Sequence, residues 1–200
     1  MKKLNFNAIR RLRRDERGAY MIEFALIMPT FLMLVMGTFD LGFQMYAKAV
    51  LAGAVEAAAR SNTLETNSAD QSAVDQQVRN QVGVVAKYAT LTFIRQNYQD
   101  FSNVNSPEDF NDTNGNGQRD TFECFSDANN NGAYDTDRGD NGQGGASDVV
   151  LYQANMKFDR IFPLWKMLGQ SQEKTITVKT VMRNQPYSNQ TDSTVVVCPN

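Results

Sequence analysis

Histidine is absent from these 200 residues. Its absence excludes Ser-His-Asp and Cys-His catalysis and every His-ligated zinc site. Cysteine is scarce: Cys124 and Cys198 stand far apart and form no C-x-x-C pair. In an extracytoplasmic body they can join as a disulfide; the other reading is two unpaired thiols. A basic excess is missing too, since the net charge is −2. That balance hides an asymmetry. Residues 1–18 carry +5, from Lys2, Lys3, Arg10, Arg11, Arg13, Arg14 and Arg17 against Asp15 and Glu16, and the rest of the chain carries −7. The basic stretch is short and abuts an apolar run. It reads as the cytoplasmic flank of a membrane span, not as a nucleic-acid patch.

The apolar run extends from Tyr20 to Phe39, and its one charge is Glu23. As a helix these residues reach about 30 Å, the thickness of a hydrocarbon core. Pro29 is expected to kink or loosen the helix near its start. A cleaved secretory signal is the competing reading, with Ala47-Lys48-Ala49 in the A-x-A form, but its apolar region would be shorter and the cut closer. Beyond Asp40 the sequence LGFQMYAKAVLAGAVEAAAR stays helix-compatible. One helix from Ala19 to Arg60 is therefore expected, half in the membrane and half outside. Ala49, Gly53 and Ala57 recur every four residues, which reads either as a stripe for close helix approach or as plain alanine propensity.

The remainder predicts an α+β body. Residues 61–105 form a helical segment, with Val74, Val78, Val82, Val85, Ala89 and Phe93 in helical rhythm and Asn67 or Ser68 as the cap. Residues 148–200 are β-rich. Residues 148–158 read as one strand and 175–183 as another, the latter with Ile176, Val178, Thr180 and Met182 on one face. Val195–Cys198 is a third strand of a small antiparallel sheet. Between the first two, IFPLWKMLG is a Pro-marked turn with Trp165 as a core anchor.

Residues 106–147 differ in composition, with nine carboxylates against Arg119 and Arg138. Within them DTNGNGQRDTFE fits the twelve-residue calcium loop. Its oxygen donors are Asp112, Asn114, Asn116, the Gln118 carbonyl, Asp120 and Glu123, with Gly117 at the sharp turn. Fifteen residues on, Asp127, Asn129, Asn131, Gly132 and Asp135 repeat the frame, but Arg138 stands where the bidentate carboxylate belongs, which leaves Asp137 or Asp140 as the substitute. The segment resembles the EF-hand-like D-x-N-x-N-G-x-x-D loops of exported bacterial proteins, which implies Ca²⁺. The competing reading is a solvated Asp/Asn/Gly loop. The acidic residues fall in calcium-loop spacing and no pocket signature accompanies them, so no enzymatic activity is expected.

A basic leader, Gly18, then Ala19-Tyr20-Met21-Ile22, then Glu23-Phe24 and a long apolar helix: this resembles the prepilin peptidase site of tight-adherence (Flp) pilus prepilins. The longer stretch RGAYMIEFALIMPTFLMLVMGTFDLGFQMY with AVEAAAR, together with DVVLYQANMKFDRIFPLWKMLG and TVKTVMRNQPY, resembles the TadE-like minor pseudopilins. The resemblance implies cleavage between Gly18 and Ala19 by a prepilin peptidase. It implies a single pass through a bacterial inner membrane, N-terminus cytoplasmic and body periplasmic, and leaves open entry into the fibre. It further implies packing on other pilins or pseudopilins through the N-terminal helix. Glu23 would then neutralise the new α-amine of a neighbour's Ala19, replacing two costly lone charges in lipid by one pair. The other readings are a Glu23 that snorkels to water from the span's edge, and an unprocessed bitopic periplasmic protein that binds or senses calcium.

Overall fold

The computed structural model describes residues 17–62, 71–186 and 194–198. They form an α+β fold with a long N-terminal helix. Two compact units share the chain: Met1–Gln44 with Arg160–Gln172, and Met45–Asp159 with Glu173–Asn200.

Helix α1 runs unbroken through Arg17–Asn62, with Pro29 inside it. Leu, Met and Ala dominate its sequence and lose little freedom in a helix. Arg60 lies in the last turn, where a cation suits the negative end of the helix dipole. In the second unit α1 buries Ala47, Leu51, Ala54, Val55, Ala58 and Ala59, a stripe at spacings of three and four. The Ala49/Gly53/Ala57 stripe is a different face: Ala49 and Gly53 are exposed.

Helix α2 spans Gln71–Gly83 and buries Val74, Val78 and Val82. The helical rhythm read through Val85, Ala89 and Phe93 does not continue as a helix. After Gly83 the chain turns, and Thr90–Tyr98 is strand β1. Its sequence TLTFIRQNY is rich in β-branched and aromatic residues, and pairing with a neighbour overrides the accidental four-residue spacing. Asn67 and Ser68, the expected caps, lie outside the described residues.

The main sheet has four antiparallel strands in the order β3, β1, β4, β5, where β3 is Asp140–Asn141, β4 is Val149–Asp159 and β5 is Glu173–Arg183. Register places Arg95 opposite Tyr152 and Tyr152 opposite Thr180. One face therefore holds Leu91, Phe93, Val150, Tyr152, Ala154, Met156, Ile176 and Met182, because residues two apart share a face. Helix α2 reaches this face. Asp75 accepts hydrogen bonds from Tyr152 (2.9 Å) and Arg95 (2.5 Å), and Arg79 stands 5.0 Å over the Phe93 ring. On the opposite face Tyr98, Val149 and Leu151 form a second cluster with Val104. The first four residues of β4 are thus buried on both sides, and each fully buried apolar side chain contributes about 1.5–3 kcal/mol. Strand β5 follows the expected alternation, with Ile176 and Met182 buried and its odd-numbered residues exposed.

Residues 195–197 form strand β6 but do not extend the main sheet. They pair with β2, Phe125–Asp127, in a separate two-stranded ribbon. The Cys124–Cys198 disulfide closes the end of that ribbon. Between β4 and β5, Leu164–Met167 forms one helical turn, α3. Leu164, not Trp165, is its buried residue; Trp165 is half-buried and spends its N–H on Asp40.

Candidate functional site

The first half of α1 exposes apolar side chains all round. Tyr20, Ile22, Phe24, Leu26, Ile27, Phe31, Leu34 and Phe39 are all exposed. A helix whose large apolar side chains are mostly exposed on every side suits hydrocarbon, and Gly18–Ser61 is long and apolar enough to cross a membrane. Gly18 and Glu23 are exposed positions in its first turns. No ion pair to Glu23 is found among the described side chains.

At the far end of the apolar run the helix carries Asp40, only 1% exposed. Its Oδ2 accepts from Arg160 Nη1 (2.8 Å), Trp165 Nε1 (3.0 Å) and Gln44 Nε2 (2.7 Å). The Arg160 guanidinium also stands 4.2 Å over the Trp165 ring. Sequence reading treated Asp40 only as the end of an apolar run; its partner lies 120 residues away, and a single sequence carries no signal for that pairing.

The acidic segment contains two loops with the same hydrogen-bond plan. In the first, Asp112 accepts from the backbone N–H groups of Gly115 (2.7 Å), Asn116 (3.2 Å) and Gly117 (2.8 Å). These donors, led by Gly117, hold its carboxyl below the usual range. In the second, Asp127 accepts from Asn131 (3.2 Å) and Gly132 (2.7 Å). Gly117 and Gly132 take φ +74° and +79°, the left-handed turn that only glycine adopts freely. The side-chain amides of Asn114 and Asn116 donate to Asp120, and those of Asn129 and Asn131 to Asp135.

The two loops differ in where the last carboxylate comes from. Glu123, fully buried, accepts from Thr113 N (2.8 Å) and Asp120 N (3.0 Å) in its own loop. The Asp120 amide is the main cause that lowers its pKa. In the second loop Arg138 does not fill that place. Its guanidinium pairs with Asp109 and the Pro107 carbonyl. The place is taken by Glu108, 2% exposed, which accepts from Ala128 N (2.7 Å) and Asp135 N (3.0 Å). These are the residues one and eight after the loop's first aspartate, as Thr113 and Asp120 are in the first loop. A short antiparallel contact brings the glutamates across: Asn111 N donates to the Cys124 carbonyl and Ser126 N to the Asp109 carbonyl. A sequence signal for Glu108 does exist. EDFNDTNGNGQRD and ECFSDANNNGAYD repeat the frame E-x-F-x-D-x-N-x-N-G-x-x-D after fifteen residues. Each loop's glutamate precedes the other loop's aspartate, or closes its own.

The donor set is all hard oxygen, which fits Ca²⁺ and not a softer metal. Carboxylates alone make no cluster: among the described residues no three His, Cys, Asp or Glu side chains are grouped to hold a metal. The asparagine oxygens and the Gln118 carbonyl would have to contribute. For that the amides now donating to Asp120 and Asp135 must turn their oxygens inward.

Comparison with known proteins adds one result. Residues 18–60 match the TadE family model, described as TadE-like protein. Neither the curated proteins nor the solved structures yield a match. The matched residues lie within α1, so over that helix the chain is similar to TadE-like proteins.

Proposed function

We propose that this chain is a minor pseudopilin that supports assembly of a tight-adherence pilus and acts by helix packing, not catalysis. The observation that carries the reading is the TadE-like match on α1, a helix whose first half exposes apolar side chains on every side. Prepilin peptidase would cut between Gly18 and Ala19, leaving the body on the periplasmic side. Glu23 of one subunit would then pair with the Ala19 amine of its neighbour. Mass spectrometry of membrane-purified protein tests the cut. Ala19 as the first residue is expected, and full-length chain is expected from Gly18→Val. A wild-type chain that keeps Met1 would overturn the reading and favour an unprocessed bitopic protein. Glu23→Ala should still insert, since it makes the span more apolar, and should reduce pilus output. Normal piliation in that variant would contradict the amine pairing.

A second activity of the same chain, calcium binding by the acidic loops, is favoured by one observation: both loops receive a buried bidentate-capable glutamate on equivalent amides. The first site would use Asp112, Asn114, Asn116, Gln118, Asp120 and Glu123. The second would use Asp127, Asn129, Asn131, Asp135 and Glu108. Asparagine at two positions of each loop reduces the charge facing the ion, so affinity about 10⁻⁴–10⁻³ M is expected. Calorimetry on the full chain in detergent, with Glu108→Gln and Glu123→Gln each removing one event, tests it. No heat and no shift in melting at millimolar calcium would leave the segment a solvated loop.

A further inference from the structure

Arg160–Gln172 belongs to the same compact unit as the apolar half of α1. Its outer surface carries three large apolar side chains, Ile161, Met167 and Leu168, which are 58%, 72% and 56% exposed, beside the exposed Lys166, Gln170 and Ser171. The segment is a closed loop. Arg160 N donates to the Gln172 carbonyl (3.0 Å), and Gln172 Nε2 donates back to the carbonyls of Arg160 (2.9 Å) and Phe162 (2.7 Å).

The loop is held at a fixed level on the helix. A β-carbon at Gly37 would lie 3.9 Å from Leu164 Cδ2, so Leu164 stands beside the last turn of the apolar run. One turn on, Asp40 binds Arg160 and Trp165. The Asp40 carboxylate is almost fully buried, and an ion pair removed from water is stronger than an exposed one.

We propose that the loop 160–172 is seated in the lipid headgroup region of the outer leaflet, with Ile161, Met167 and Leu168 in the acyl boundary. The proposal rests on α1 crossing a membrane. If the apolar run ends at the hydrocarbon edge, a loop clamped between Gly37 and Asp40 lies at that edge, and its apolar surface continues the lipid-facing surface of the helix. Its composition suits the place. Tryptophan is enriched at membrane interfaces, and the exposed Lys166 can bury its stem while its charge meets anionic headgroups. The loop then fixes how deep α1 sits, because Asp40 cannot sink further without carrying Arg160 into hydrocarbon.

Trp165 is the only tryptophan in the chain and reports directly. The full chain is reconstituted into phosphatidylcholine–phosphatidylglycerol vesicles with or without lipids brominated near the headgroup end of the acyl chain. Loss of most Trp165 emission to bromolipid, with protection from acrylamide, is expected. Ile161→Ser with Met167→Ser and Leu168→Ser should recover much of that emission while the chain stays in the membrane. A carbonate-resistant chain whose Trp165 is not quenched by bromolipid would overturn the proposal and leave the span intact, whether acrylamide reaches the ring or protein covers it. Unchanged quenching in the triple variant would overturn the role of those side chains. Release by carbonate would overturn the membrane reading, and this proposal with it.

Discussion

The two halves of α1 are both apolar and both helical, yet they meet different surroundings. From Tyr20 to Phe39 large side chains point in every direction and stay exposed. From Ala47 to Ala59 the buried residues keep to one stripe, and Lys48, Glu56 and Arg60 stay outside it. Helical conformation alone does not separate these halves. What separates them is the distribution of size and charge around the axis: uniform in the first half, as suits lipid, and one-sided in the second, as suits a helix with protein on one side and water on the other. Asp40 marks the change, because a carboxylate in that position needs the Arg160 and Trp165 donors it receives.

If the halves are energetically separate, damage to one should spare the other. The largest effect is expected from replacing Cys124 and Cys198 by serine. They lie 74 residues apart, and opening a loop of that length costs about 4–5 kcal/mol in the chain-entropy model. Denaturant melting of the body should register the loss, with no change in carbonate-resistant membrane retention. Next, Leu51→Ala removes a fully buried side chain and should destabilise the body by about 2–5 kcal/mol, whereas Leu26→Ala should leave its melting unchanged. The converse is Leu26→Arg. A charge inside the span should oppose insertion by up to about 2.5–3.5 kcal/mol, the cost at a span's centre, read from the inserted fraction of glycosylation reporters, with the body's disulfide still formed. A body that melts early with Leu26→Arg would show that the halves are coupled.

The smallest effect is the pH response, and it should belong to the body alone. Arg138 holds the Asp109 carboxyl below its ordinary range, as backbone amides hold Asp112 and Glu123. Depressed carboxylates stabilise the fold above their unfolded values, and that stability is lost as pH falls below about 4. Burial, then the Asp137 carboxylate it donates to, pushes the Tyr98 hydroxyl up to about 12. The fold therefore keeps this contribution below about pH 10 and loses it as pH rises from about 10 toward 12. Melting temperature against pH should fall at both ends. Asp137→Asn should soften the alkaline limb, and an unchanged limb would show that Asp137 does not raise Tyr98.

Much of this was legible from local pattern. The uninterrupted apolar run gave α1, and strict alternation gave β5 with its buried face. Where one local pattern imitated another, reading failed: Val85, Ala89 and Phe93 keep a helical interval by coincidence, and only pairing with β4 makes Thr90–Tyr98 a strand. Contacts across long separations left no trace. Trp165 looked like a core residue because its hydrogen-bond partner, Asp40, is 125 residues away. Glu108 lies outside the twelve residues of the loop it closes, so loop spacing does not reveal it, although the fifteen-residue repeat contains it. A fragment meant to keep the body's core has to begin near Met45, because one starting at Ser61 would lose Leu51 and Val55.

The most direct test of the account is where α1 changes solvent. Leu34 and Lys48 are both exposed and about 21 Å apart along the axis. A spin label on Leu34→Cys or Lys48→Cys, in the full chain in vesicles with the native disulfide intact, reports whether oxygen or a water-soluble nickel chelate collides with it more often. Oxygen should dominate at position 34 and the nickel chelate at position 48. Nickel access at position 34, or lipid-like behaviour at position 48, would contradict a helix that leaves the membrane at Asp40.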